Sequence, residues 1–281
     1  MALRFTNRPA LVAYITCGDP DLRTSREVAL AAASSGAEVI ELGVPFSDPV
    51  ADGGIIQRAS ERALRNRVSL GDVLALARDV RRETAAGLIV FSYLNPVLQM
   101  GIESFASRAA DAGLDGALVI DLPTEEAAQY CQEMRKRELA TIFLAAPTST
   151  EARLRRLAEA STGFVYAVSR TGVTGKRAEF PPDAEKLVSR VRRYTKLPIA
   201  VGFGISSPAQ VRAVAGFADA AVVGSAIVEK IEANPGKEAQ AVAEFLQQLL
   251  RAPTTELGMS VVQSGRRNRG QTESYGRRGA R

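Results

Sequence analysis

The chain has 281 residues, 46% of them hydrophobic, with 36 basic residues against 31 acidic ones and no histidine. That supports a large core in one or two domains. It also excludes His-based triads, His-ligated metal sites and imidazole acid–base catalysts, so chemistry must run on carboxylates, hydroxyls, Lys, Tyr and backbone groups.

No stretch reaches the ~20 apolar residues a membrane span needs, and the first residues lack a signal-peptide pattern. Cys17 and Cys131 lie far apart in or near apolar runs. Cysteine so sparse fits packed thiols in a reducing cytoplasm, and a cytoplasmic protein without membrane contact is expected.

The predicted elements alternate. "ALVAYIT" from Ala10 reads as the first strand, and Thr24 to Glu27 has capping-box spacing for a helix. "VIELGV" from Val39 is the second strand; it carries Glu41 and runs into a loop with Asp48 and Asp52. Ser69 and Asp72 fit a second capping box, and Leu70, Val73, Leu74, Ala77 and Val80 form one apolar helix face. "LIVFSYL" from Leu88, "ALVIDL" from Ala117 and "TIFLAA" from Thr141 follow, with Asp121 near the end of the fourth strand and a third capping spacing at Thr148 to Glu151. "GFVYAVS" from Gly163 leads into the long segment 170–182, which lacks apolar periodicity and reads as a mobile lid or an ordinary surface loop. "IAVGFG" from Ile199, a helix start at Ser207–Pro208 and "AAVVGS" from Ala220 complete the series.

After Leu250 the pattern stops. Residues 252–281 carry six Arg against two acids, a net of +4 that leaves only +1 for the rest. They read as a disordered basic tail beside a domain spanning 1–251. Such a tail allows non-specific contact with nucleic acid or an acidic partner; the folded part gives no reason to expect nucleic acid.

Continuous apolar runs fit strands buried on both faces of a parallel sheet. Eight strand–helix alternations predict a (β/α)8 barrel, with an open doubly wound sheet as the alternative. In a barrel, function belongs at the C-terminal strand ends. Glycine loops after the last strands then offer Gly204, Gly224 and Ser225, with Gly175 from the neighbouring loop, as a backbone cradle for phosphate. Each of these glycines also fits a simple turn. Glu41 fits either a catalytic or a backbone-capping role, and Asp48 and Asp52 fit Asx-turns as well as chemistry.

The motifs "TCGDP", "ELGVPFSDPVADG", "YLNPV", "SRTGVTG", "GFGIS" and "VVGSAIV" together resemble the tryptophan synthase alpha subunit family over about residues 8 to 250. The resemblance implies retro-aldol cleavage of indole-3-glycerol phosphate to indole and glyceraldehyde 3-phosphate, without a cofactor or metal. It implies Glu41 as the acid–base residue, Asp52 as the carboxylate holding the indole N–H, and Thr174 as the lid residue that meets Asp52. Tyr14 and Tyr166 then line the substrate pocket. Gly175, Gly204, Gly224 and Ser225 bind phosphate, with Phe203 adjoining and Asp48 left to structure its loop. It further implies a pyridoxal-phosphate beta subunit as partner in an α2β2 tetramer, docked on the active-site side near the loops after strands two and three. Two departures stand out: only "MALRFTNR" occupies the place of the family's extra N-terminal helix, which lowers the expected stability, and the basic tail is additional. A freestanding lyase that releases indole and a catalytically silent activating subunit are the competing readings; intact Glu41 and Asp52 argue against the second.

Overall fold

Within each β-rich run, side chains alternate between two apolar environments, which is why the runs read as continuously hydrophobic. Val12, Val39, Ile89, Leu118, Ile142 and Phe164 face one another inside a closed sheet. Leu11, Ile15, Ile40, Leu42, Leu88 and Val90 face outward into a layer of helices. The computed structural model describes residue 3 and residues 5–168, 182–202 and 204–251.

Eight parallel strands form the barrel in chain order: β1 Ala10–Thr16, β2 Val39–Gly43, β3 Gly87–Ser92, β4 Gly116–Val119, β5 Ala140–Ala145, β6 Val165–Val168, β7 Ile199–Gly202 and β8 Ala220–Val223. Closure runs through the β8–β1 register, from Ala10↔Ala220 to Ala13↔Val223. Every run read as a strand is one, and the sheet is the closed barrel rather than the open alternative. The tail at 252–281 lies outside the described residues. So do residues 170–181 of the expected lid; its last residue, Pro182, opens a helix.

The helices are α1 Leu22–Ser34, α2 Gly54–Arg65, α3 Leu70–Arg81, α4 Leu94–Met100, α5 Ile102–Asp111, α6 Ala128–Lys136, α7 Glu151–Ala160, α8 Pro182–Val191, α9 Pro208–Ala215, α10 Ser225–Ala233 and α11 Glu238–Leu250. Two predicted starts hold: Ser69 and Asp72 form a reciprocal capping box on α3, and Ser207 caps α9 ahead of Pro208. Two are corrected. Asp21, not Thr24, caps α1, accepting the Thr24 N–H at 2.8 Å. Thr150, not Thr148, caps α7. In both places more than one cap-competent residue lies within a few positions, and the cap is the one whose oxygen reaches the N–H three residues on. Among the described residues no helix is long and apolar enough to cross a membrane.

The N-terminal end of the barrel is tied down by acids placed one residue before even-numbered strands. Glu38, before β2, accepts the Thr6 and Asn7 N–H groups. Asp115, before β4, accepts the Leu88 N–H at 2.8 Å and an Arg81 hydrogen bond at 2.7 Å. Asp219, before β8, accepts the Ile199 N–H at 2.8 Å and a bond from Arg192. Leu3 and Phe5 close the floor above these ties, Phe5 lying 5.7 Å from Phe164 between ring centroids. The short N-terminal segment therefore covers the barrel bottom with two apolar side chains where the sequence reading expected little cover.

Asp115→Ala leaves the Leu88 N–H without its acceptor and removes one of the three acceptors of the Arg81 guanidinium, which keeps the Gly113 and Thr84 carbonyls. A loss of about 1–3 kcal/mol in urea unfolding is expected.

Candidate active site

At the C-terminal end, the inward positions of successive strands surround a cavity of about 400 Å³. Tyr14, Glu41, Asp52, Tyr166, Gly204, Gly224 and Ser225, all singled out from the sequence, line this one space. Thr174, Gly175 and Phe203 lie outside the described residues. Asp121 does not join the cavity. It is exposed, and its carboxylate accepts the Leu94 N–H at 2.7 Å, capping the start of α4. Asp48 is exposed beside a neighbouring groove, and the turn there is closed by backbone, Val50 N–H to Asp48 carbonyl, rather than by an Asx side chain.

Glu41 is the third residue of β2, in register with Tyr14 on β1 and Ile89 on β3. Strand alternation turns its side chain into the barrel. It is 0% exposed, and among the described residues neither carboxylate oxygen has a hydrogen-bond partner. A backbone-capping role is thereby excluded. Loss of hydration disfavours the charged form, and burial pushes its pKa up to about 8.

Asp52 stands just before α2, which begins after Gly53. Burial pushes its pKa up to about 6, against the opposing pull of the Tyr93 hydroxyl. Tyr93 opens the YLNPV motif, which by itself assigns it no role. Its hydroxyl accepts the Ala51 N–H at 3.1 Å and donates to Asp52 Oδ2 at 3.2 Å. Because the backbone donor occupies the oxygen, the phenolic proton is left to point at Asp52. The Tyr93 ring stacks on Phe46, with centroids 4.8 Å apart. The available signal was position: a tyrosine directly after an inner strand, on the barrel face that carries function.

The opposite wall is backbone. Gly224 is the N-cap of α10, and no acid occupies that helix's first turn. The N–H groups of a first turn have no intrahelical acceptor, so they form a ready site for an anion. Gly204 has φ +62° and open space where a Cβ would sit, so glycine both permits the turn and keeps the approach clear. Two further glycines set the cavity's width. A Cβ on Gly43 would overlap the Tyr14 hydroxyl and ring, and one on Gly202 would overlap Tyr166. The Tyr14 ring is braced edge-on by Phe91, centroids 5.2 Å apart. Among the described residues no cluster of His, Cys, Asp or Glu could hold a metal ion.

Fold and site together define a (β/α)8-barrel enzyme whose cavity, at the C-terminal strand ends, holds two carboxylates. The family model of the tryptophan synthase alpha chain matches residues 1–255. A tryptophan synthase alpha chain from Solibacter usitatus is 50% identical over 232 residues, covering 83% of this chain and 87% of that one. Another from Neisseria meningitidis is 46% identical over 241 residues, covering 85% and 92%. A chain in the tryptophan synthase α2β2 complex of Pyrococcus furiosus superposes with a TM-score of 0.83 at 36% identity, covering 88% of this chain and 99% of that one. The chain belongs to the tryptophan synthase alpha chain family, and its reaction is the lyase cleavage of indole-3-glycerol phosphate to indole and glyceraldehyde 3-phosphate.

Burial of Glu41 has a measurable stability consequence. Unfolded, the group ionises near its ordinary value of 4.5; folded, it keeps its proton to about 8. The folded state thus binds the extra proton between these values, and stability falls as pH rises across the window. Glu41→Gln lacks this loss. It should be more stable than the parent at pH 8 by on the order of 1–4 kcal/mol, with the difference vanishing near pH 4. Urea midpoints taken as a function of pH give the comparison; a constant difference would contradict the buried, proton-holding state.

Proposed function

We propose that Glu41 moves the protons of this cleavage and that Asp52 holds the indole N–H. Gly204, Gly224 and Ser225, with Gly175, receive the phosphate; Phe203 adjoins it, Tyr14 and Tyr166 flank the reacting end, and Thr174 closes toward Asp52. The observation that supports this assignment is the pair of unlike carboxylates in one cavity, one unpartnered with its pKa near 8 and the other hydrogen-bonded with its pKa near 6. Between those values Glu41 is protonated and Asp52 is charged, the division of labour that opposed environments give two acids.

The steps balance on that starting state. Protonated Glu41 gives its proton to C3 of the indole ring, and the ring becomes an indolenine cation whose N–H is held by the Asp52 carboxylate. The Glu41 carboxylate then takes the proton of the glycerol hydroxyl next to the ring. The C–C bond breaks, its electrons return to the ring, and indole and the aldehyde separate with Glu41 protonated again. The sequence is redox-neutral and closes on protein groups alone. Preorganised negative charge opposite a cation that exists only during reaction stabilises the transition state more than the ground state.

The single-turnover cleavage rate should rise with pH through about 6 as Asp52 ionises and fall above about 8 as Glu41 loses its proton. Glu41→Gln should bind an uncleavable indolyl phosphate while cleavage drops by at least ~10²–10⁴-fold. Tyr93→Phe removes a bond to the charged form of Asp52 and should move only the acidic limb, upward. Near-normal cleavage by Glu41→Gln would sink the mechanism.

We also propose a beta subunit as partner, docked on this same end, with residues 1–251 as the catalytic domain and the cytoplasm as the location. The P. furiosus relative is an α2β2 complex. Here Val50 is 81% and Leu98 53% exposed, in the loop after β2 and on α4 after β3. Beside them runs a groove of about 660 Å³ lined in part by Pro45, Phe46, Leu64, Pro96 and Met100. Exposed apolar groups gathered at one end mark a contact surface. A charge at Val50 or Leu98 should weaken beta-subunit binding in calorimetry while cleavage by the isolated chain persists. Fast indole release that a beta subunit does not accelerate would favour the freestanding lyase.

A further inference from the structure

The two ends of the proposed substrate site are carried by two helices that pack side by side. Asp52 and Gly53 lead into α2, and Gly224 and Ser225 begin α10. Ala59 of α2 and Val228 of α10 meet over Tyr14, making a small apolar contact separate from the main core. Such a contact resists parting of the helices but does little to stop them sliding, because burial is non-directional.

An ion-pair network supplies direction. Arg62 on α2 donates to both oxygens of Asp19, at 2.7 and 2.8 Å, and to Glu232 on α10 at 2.8 Å. Arg58, one turn earlier, donates twice to Glu232, at 3.1 and 2.8 Å. Asp19 is 2% exposed in the loop after β1, and that loop is anchored by the Gly18 N–H bond to Ser25. Arg62 therefore joins a fixed loop, the helix of Asp52 and the helix of the phosphate cradle. Exposed ion pairs contribute little as a rule. A bidentate guanidinium on a buried carboxylate is different, since its fork geometry imposes orientation as well as attraction.

We infer that the Arg62–Glu232 bridge, seated on Asp19, fixes the spacing between the Asp52 end and the Gly224–Ser225 end of the cavity, making Arg62 and Glu232 positioning residues that select ligand length. The inference rests on the assignment of those two ends above. A ligand that spans both ends gains from their fixed separation as a linked pair of fragments does, while a ligand at one end gains nothing.

The test compares three ligands by calorimetry: glycerol 3-phosphate, indole, and an indolylalkyl phosphate that joins the two and cannot be cleaved. Glu232→Ala removes the α10 side of the bridge. Glu232→Gln, which keeps a hydrogen-bond acceptor of the same size, should recover part of the loss. Arg62→Lys keeps a charge opposite buried Asp19 but loses the fork. For Glu232→Ala and Arg62→Lys the joined ligand should bind roughly tenfold or more weakly, with both fragments unchanged, and the optimum alkyl length should broaden. Equal loss for all three ligands would mean a merely structural role and overturn the inference; so would unchanged binding of the joined ligand. Failure of the parent protein to bind the fragments would overturn the underlying site assignment first, an outcome distinct from the other two.

Discussion

Both oxygens of Glu41 are buried without a donor, on a strand hemmed in by other inner strands. An ionised carboxylate left that way costs several kcal/mol, and the group answers by keeping its proton. The surroundings follow from this constraint. Tyr14 and Tyr166 flank the cavity with large rings, and the Tyr14 hydroxyl lies 3.4 Å from Thr16 Oγ1. Among the described residues the group that lowers a carboxylate pKa in the cavity, the Tyr93 hydroxyl, is directed at Asp52 instead. Two acids with similar intrinsic chemistry are thereby held apart by placement alone.

The two ends of the barrel treat carboxylates in opposite ways. At the N-terminal end Glu38, Asp115 and Asp219 each accept backbone N–H groups from the neighbouring chain segment, and their negative charge is used for cohesion. At the C-terminal end Glu41 has no hydrogen-bond partner among the described residues. Stabilising interactions and reactive ones therefore occupy different faces of the same strands, the separation that lets a barrel vary its chemistry without losing its fold. The Asp19–Arg62–Glu232 network and the Asp121 cap on α4 are cohesive devices built at the reactive end, where they act on helices rather than strands.

Much of this was legible in the sequence because burial on both faces leaves a distinctive mark. All eight strands announce themselves as short apolar runs; Glu41 stands out by its place near a strand end, while Tyr14 and Tyr166 are marked only by the family resemblance. Helix starts were less legible. Around Asp21 and Thr150, more than one nearby polar residue has a capping spacing, and spacing alone does not say which one caps the helix. Asp121 looked like Glu41 by position, yet a residue just past a strand end can turn outward to cap the next helix, as it does. Tyr93 escaped notice because a tyrosine after an apolar run has the composition of core. Its role depends on Phe46, Ala51 and Asp52, brought to it from forty or more residues away. The salt-bridge hub was invisible for the same reason, since its partners stand 43 and 170 residues apart.

Gly43 and Gly202 carry a consequence for how such an enzyme diverges. Each leaves room on the adjoining strand for a tyrosine ring that walls the cavity. The size of the binding space is thus written in two absent methyl groups rather than in the residues that perform the chemistry. Gly→Ala at either place requires a single base change and forces a ring to swing inward, at the typical overpacking cost of about 1–3 kcal/mol. A lineage can therefore narrow its substrate range in one mutational step while the acids, the phosphate cradle and the barrel floor stay as they were. Substrate size and catalytic competence are inherited separately in this architecture.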